Sequence, residues 1–281
     1  MTRLACVPLR PRIGDLAYNV RVIETNIGAA VAAGADIVVL PELASSGYMF
    51  ASQEEAASCA ITADDGAVSQ WIAAAGSATV VVGICETSAD GRLYNSALVI
   101  DSSGVQGIYR KSHLWNQEKA FFAAGNDLPL LVDTPHGRIA VMICYDLEFP
   151  ELTRWAALEG AVLIAAPVNW PLVPRAAGEH APEQIMAKAT ARVNGVFVAC
   201  TDRTGSERGQ DWTEGTVIVG PDGWTIGSRA HDFVVVDAEL SAASNKRLAE
   251  AADLFADRRV DLYTSPKSQS SATSVLSLIH I

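Results

Sequence analysis

Short apolar runs, each ending in a polar or reactive residue, constrain this chain more than any other feature. Residues 35–40, 79–84, 138–143 and 161–166 are stretches of strand length and strongly apolar composition. Runs of this kind fit strands buried on both faces. Helical patterns lie between them. Leu16, Val20, Ile23, Ile27 and Val31 recur at helical spacing within residues 15–33, and Gly34 closes that helix. Further helices are expected over 67–75, from about 150 to 159, and over 182–193. Strands are expected at 2–9, 95–101 and 105–109, the last two joined by Ser102-Ser103-Gly104, and later at 196–199, 216–219 and 233–236. Pro221-Asp222-Gly223 supplies a turn among the late strands. Helices and strands alternate early and strands dominate late, which makes the fold class α/β.

With 281 residues, 49% of them hydrophobic, the chain can bury a large core. No Ser- or Pro-rich linker interrupts it before Tyr263, so one domain is expected over 1–263. Residues 264–281 are Ser-rich and end in an apolar scrap, as expected of a disordered or non-native tail. The net charge of −11 argues against nucleic acid or an anionic membrane surface as partner. No apolar run approaches the roughly 20 residues needed to cross a bilayer, and the amino terminus reads as a strand rather than a signal peptide. Five cysteines without a CxxC pair point to a reducing, cytoplasmic setting. The five histidines lack ligand spacing, so no metal is expected, and the absence of phosphate-loop and dinucleotide fingerprints leaves no expected cofactor.

The chemistry gathers at strand ends. Glu42, Lys111, Cys144 and Asn169 each stand at or just past the carboxyl end of an apolar run, the edge at which α/β sheets bind ligands. Cys144 is expected between a strand and a helix amino terminus, with Pro150 near the first turn, a position that favours a thiolate. A carboxylate can take the thiol proton and return it to a leaving amine. A lysine can stabilise an oxyanion, and a thiolate can carry a covalent acyl group. Singly, each residue has an ordinary reading: an inert core cysteine, a loop glutamate, a solvated lysine, a turn-forming asparagine. A Cys144–His113 pair of the papain kind is the competing arrangement.

Three ordered segments carry a resemblance. They are Leu40-Pro41-Glu42 with Ser46-Gly47-Tyr48, Tyr109 to Leu114, and Ile143-Cys144-Tyr145-Asp146 with Phe149-Pro150-Glu151. Together they resemble the nitrilase, or carbon–nitrogen hydrolase, superfamily over roughly residues 2–263. Supporting matches include Asn95-Ser96, Pro167 to Trp170 and Asp257-Arg258-Arg259; Ala124 before Gly125 departs from the proline usual there. The resemblance implies a four-layer αββα sandwich, Glu42 as general base, Lys111 as oxyanion stabiliser, Cys144 as nucleophile and Glu118 as an orienting second glutamate. It also implies an oxyanion donor in the Tyr145 N–H, substrate contacts from Trp115, Asn169 and Trp170, and a homodimer or larger homo-oligomer. Tyr145-Asp146 stands where true nitrilases resemble one another in Trp-Glu, which favours a small primary amide as substrate. N-carbamoyl hydrolysis, nitrile hydrolysis and an ammonia-supplying glutaminase remain alternatives, as does a catalytically silent metabolite-binding module. Glu148 resembles the glutamate of 5-aminopentanamidase-type enzymes, whose substrate carries a distal ammonium; its ordinary reading is a carboxylate at a helix amino terminus.

Overall fold

The apolar runs become the parallel centres of two sheets. In the first sheet β1 (Thr2–Cys6), β2 (Ile37–Val39) and β3 (Thr79–Thr87) run parallel, and β4 (Leu93–Asp101) and β5 (Gly104–Arg110) extend it antiparallel. In the second, β6 (Leu130–Thr134) pairs antiparallel with β7 (Gly137–Val141), which is followed by the parallel strands β8 (Leu163–Pro167) and β9 (Phe197–Thr201). A small hairpin, β10 (Ser206–Glu207) and β11 (Gln210–Asp211), stands apart. β12 (Val217–Val219) and β13 (Thr225–Ile226) complete the second sheet, and β14 (Ser228–Ala230) and β15 (Phe233–Ala238) complete the first. The computed structural model describes residues 1–230 and 232–263. It divides into a unit of Met1–Asn245 and a unit beginning at Lys246, whose described part contains the short pair Arg247–Ala249 and Ala252–Asp253 and the helix Val260–Tyr263. The tail expected at 264–281 lies outside the described residues.

Helices cover the sheets. α1 (Leu16–Ala32) is capped by the Asp15 side chain on the Tyr18 N–H, and Gly34, at φ +86°, ends it in a conformation that favours glycine. With α2 (Gln53–Ser58) between them in sequence, α1 and α3 (Gly66–Ala75) bury Val20, Ile23, Ile27 and Trp71 against Val38, Val80 and Val82 of the first sheet. After α4 (Glu118–Phe121) come α5 (Pro150–Leu158) and α6 (Pro182–Asn194), each with proline in its first turn; α6 packs on β9 and β12. The two sheets face each other through β2, β3, β8 and β9, and the Thr201 hydroxyl donates to the Val39 carbonyl at 3.0 Å across them. The order helix, sheet, sheet, helix is the expected sandwich. The strand expected over 2–9 stops at Cys6: Val7 still donates to the Val39 carbonyl, but Pro8 has no N–H to continue the ladder.

Candidate active site

Four chain segments meet where the strands of the two sheets end. Glu42 follows β2, Lys111 follows β5, Cys144 lies three residues past β7, and Asn169 lies two past β8. The Asn169 side-chain amide donates to the Glu42 carbonyl at 2.9 Å and ties the first sheet's edge to the second's. Close backbone approach makes this convergence possible. A Cβ on Gly83 would sit 2.4 Å from the Pro41 oxygen and 2.6 Å from the Glu42 Cα, so only glycine lets β3 lie beneath the Glu42 turn. Leu43 and Cys144 both hold positive φ, +48° and +46°. These are left-handed conformations that cost a non-glycine residue free energy, and they flank the convergence point.

At the centre is a buried ammonium between two carboxylates. Lys111 Nζ lies 2.7 Å from Glu42 Oε1 and 2.7 Å from Glu118 Oε1, and all three side chains are essentially inaccessible. Asn95 donates to Glu42 Oε1 at 2.7 Å, the Tyr48 hydroxyl to Glu118 Oε1 at 2.6 Å, and the Trp115 N–H to Glu118 Oε2 at 3.0 Å. Glu118 is thereby fixed through both oxygens. Glu42 is held through Oε1 alone: its Oε2 is buried and without a partner. Burial, and further the negative charge of Glu118, push the Glu42 carboxyl up to about 7 against the pull of Lys111. Burial alone would lower the Lys111 pKa, but the charges of Glu118 and Glu42 outweigh it and hold the group well above its ordinary value.

Cys144 departs from the expectation of a thiolate at a helix amino terminus. It opens a single 3₁₀ turn, Cys144–Glu148, and α5 begins only at Pro150. Its thiol is pushed well above the usual range, first by burial and then by the Glu42 charge, with Lys111 opposing. A one-turn 3₁₀ segment carries little dipole, and desolvation wins. The thiol is therefore protonated at rest. Asp146 fixes the turn: it accepts from the Ile143 N–H, the His113 N–H and the Tyr109 hydroxyl. The His113 ring nitrogen Nδ1 also contacts Asp146, at 2.9 Å, and the ring stacks on Phe149 at 3.6 Å.

Cys144 opens into a cavity of about 110 Å³ that brings together Trp115, Tyr145, Glu148, Asn169 and Trp170, all anticipated as contacts. Trp115 meets Tyr145 edge to face at 4.9 Å. A second concavity of about 230 Å³ shares Trp115 and Asn169 and adds Tyr48, Gln117 and Trp212. Sequence reasoning assigned no role to Glu183, which also lines the Cys144 cavity and whose Oε2 is buried without a hydrogen-bond partner. Glu183 follows Pro182 in the first turn of α6, where an acid reads as ordinary dipole compensation. Asn95 and Tyr48 were visible only as motif residues, because nothing local shows that they face Glu42 and Glu118.

The carbon–nitrogen hydrolase family matches residues 3–246. The chain is 35% identical over 271 residues to a protein named "Nitrilase" from Pyrococcus abyssi, covering 94% of this chain and 99% of that protein. It is 30% identical over 266 residues to an "(R)-stereoselective amidase" from a Pseudomonas species, covering 92% of each. A solved structure of a mutant amidase from Nesterenkonia sp. AN1, which shows Michael addition of acrylamide at its active site cysteine, is similar with a TM-score of 0.76. That likeness is at 26% identity, over 94% of this chain and 98% of that one. With similarity of this extent in both sequence and structure, the chain belongs to the carbon–nitrogen hydrolase family of the nitrilase superfamily, hydrolases acting on carbon–nitrogen bonds other than peptide bonds.

Proposed function

We propose that this protein is an amidase that hydrolyses a small primary amide to a carboxylic acid and ammonia through a thioester on Cys144. The observation that carries the reading is the unpartnered, buried Glu42 Oε2 on a carboxyl poised near 7, beside a thiol that is protonated at rest. In the first step the Cys144 proton passes to Glu42, and sulfur attacks the amide carbon. Lys111 spends two of its three N–H donors on Glu42 and Glu118. The third, with the Tyr145 N–H, stabilises the oxyanion. Collapse breaks the C–N bond, and Glu42 returns the proton to the leaving ammonia. A water deprotonated by Glu42 then cleaves the thioester, and the thiol is restored. Glu118, tied by Tyr48 and Trp115, orients Lys111. The amide assignment draws further support from the acrylamide adduct of the Nesterenkonia amidase; the Pyrococcus relative's name keeps nitriles in the test.

The cavity's charge refines the substrate. Glu148, though exposed, lines the cavity beside Glu183, and partial desolvation together with the Glu183 charge raises its pKa. Two acids lining one cavity favour a substrate whose far end carries an ammonium and repel one carrying a carboxylate. An ω-amino amide is then hydrolysed with higher kcat/KM than a dicarboxylic monoamide of equal length, and Glu148→Gln narrows the gap. A homodimer or larger assembly is supported by exposed apolar residues on α5 and α6, Leu158, Ile185 and Val193, and by Trp224. The central experiment pairs intact-mass detection of an acyl adduct with acid and ammonia release from matched amides and nitriles. Cys144→Ala must lose both adduct and turnover; residual activity within tenfold of wild type refutes the assignment, and a wild type that neither forms an adduct nor releases ammonia is a binding module.

A further inference from the structure

A larger concavity lies outside this site and has the opposite charge. It encloses about 590 Å³ and is lined by Arg10, Arg12 and Tyr18 from the amino-terminal part of the chain and by Glu207 and Arg208 from the β10–β11 hairpin. That volume is within the range of small-molecule pockets. The chain carries 32 acidic against 21 basic residues, so arginines without acidic partners are not expected to gather by chance composition. Arg208 is paired with Glu55. Among the described residues, neither Arg10 nor Arg12 has an ion-pair partner; the Arg12 guanidinium lies instead 3.7 Å over the Tyr18 ring. Behind them Arg203 is fully buried, its Nη1 ion-paired with Glu207 Oε2 at 3.0 Å, while its Nε lacks a hydrogen-bond acceptor. Its pKa is lowered by burial and, in lesser part, by the nearby positive charge of Arg10. The two guanidinium groups without an acidic partner, those of Arg10 and Arg12, suit a small oxyanion at this concavity, because their planar forks match carboxylate and phosphate oxygens.

The wall of this cavity is also a wall of the catalytic cluster. Glu207 Oε1 accepts the Tyr48 and Met49 N–H groups, each at 2.8 Å, and Arg208 donates to the Met49 carbonyl at 2.9 Å. The Tyr48 hydroxyl in turn holds Glu118. We propose that the Arg10–Arg12–Arg208 cavity binds a small carboxylate or phosphate, and that occupancy is felt at Glu118 through Glu207 and Tyr48. The binding half of this inference is independent of which reaction Cys144 performs.

The test titrates the full chain with inorganic phosphate and, separately, with citrate. Ionic strength is held constant with sodium chloride, and thermal midpoint and kcat/KM on a neutral amide are both read. A saturable rise in midpoint, absent with chloride and lost in Arg10→Gln/Arg12→Gln, is expected, with kcat/KM changing over the same concentration range. A response to phosphate alone assigns a phosphate ester as the natural ligand, and a response to citrate alone assigns a carboxylate. Both side chains are exposed, so the double variant keeps its fold and its activity without added anion; Arg12→Lys, which retains charge but loses the fork, weakens the response without abolishing it. A shift that tracks ionic strength, or one that persists in the double variant, overturns the site. Saturation of the midpoint with kcat/KM unchanged overturns the link to Glu118. Absence of all amide turnover would leave the binding result standing and would refute the amidase reading instead.

Discussion

Replacing Glu42 by glutamine preserves shape and removes one ionisable oxygen pair, and its consequence can be worked from the geometry. The thiol sits above its ordinary value of 9.0, so without a base at most ~1% is thiolate at pH 7, a penalty of about 10²-fold before any other effect. The ammonia leaving group also loses its proton donor, and general acid catalysis contributes roughly 10²–10⁴. Glu42→Gln therefore lowers kcat/KM by at least ~10³. The pH profile is the sharper assay. With the Glu42 carboxyl near 7, the ionised, basic form is lost as pH falls through that value, so wild-type kcat/KM declines about tenfold per pH unit below it and levels off above. The midpoint belongs to the Glu42–Lys111–Glu118–Cys144 cluster rather than to one residue. In Glu42→Gln the inflection near 7 disappears, and residual activity keeps rising with pH toward the thiol's own ionisation. Stopped ammonia assays from pH 5 to 10 on both proteins decide it. An inflection near 7 that survives the substitution, or activity within tenfold of wild type, refutes Glu42 as the base; if His113→Ala were inactive as well, the Cys144–His113 pair would take its place.

Lys111→Met removes the cation between two buried carboxylates and should cost about 3–5 kcal/mol, the scale for breaking a buried pair. Calorimetry should show the midpoint falling by on the order of 10 °C, with the loss shrinking as pH falls and the carboxylates take up protons, alongside a kcat loss of ~10² or more. Gly83→Ala forces a methyl against Pro41 and Glu42; it should lower stability by about 1–3 kcal/mol and kcat by more than tenfold, because the base moves with the backbone. Asp146→Asn replaces a carboxylate that serves Ile143, His113 and Tyr109. It should cost roughly 1–3 kcal/mol in urea unfolding and depress kcat with little change in KM. Cys6, Cys59, Cys85 and Cys200 are all buried and free, and each should tolerate alanine without a kinetic loss comparable to that of Cys144→Ala in the same assay.

The parts of the fold legible in the sequence were those set by short-range pattern. The runs ending at Leu40, Ile143 and Ala166 showed the parallel strands, and Asp15 with Gly34 bounded α1 almost to the residue. The convergence of Glu42, Lys111, Cys144 and Asn169 also followed from pattern, since each leaves a strand at the same edge. What escaped was whatever depends on two distant segments at once. α4 is four residues long and carries no periodicity, so the helix that presents Glu118 could not be read even though Glu118 itself was anticipated. The burial that raises the Cys144 pKa is not legible in the sequence for a related reason. Strand-then-proline looks locally like the start of a helix, whereas the intervening 3₁₀ turn is imposed by Asp146 reaching Tyr109 and His113, more than thirty residues away. Glu183 was hidden because a first-turn acid has a sufficient local reason to be there.

The protonated thiol changes how the cluster should be understood. Glu42, Glu118 and Lys111 place two negative charges and one positive charge in a space closed to water, where generating a further isolated anion would cost several kcal/mol. In the proposed mechanism, moving the proton from Cys144 to Glu42 generates none: the charge passes from oxygen to sulfur, and the cluster's total is unchanged. Its cost is the difference between two pKa values that burial has raised together, not the full price of a buried thiolate. As the oxyanion develops, negative charge moves again, from sulfur to the substrate oxygen, within reach of the same ammonium. On this proposed reading, Glu118 has a function distinct from acid–base work. Held through both oxygens by Tyr48 and Trp115, it keeps Lys111 charged and in place while the proton is on Glu42, the moment at which a single carboxylate partner would have let the ammonium go.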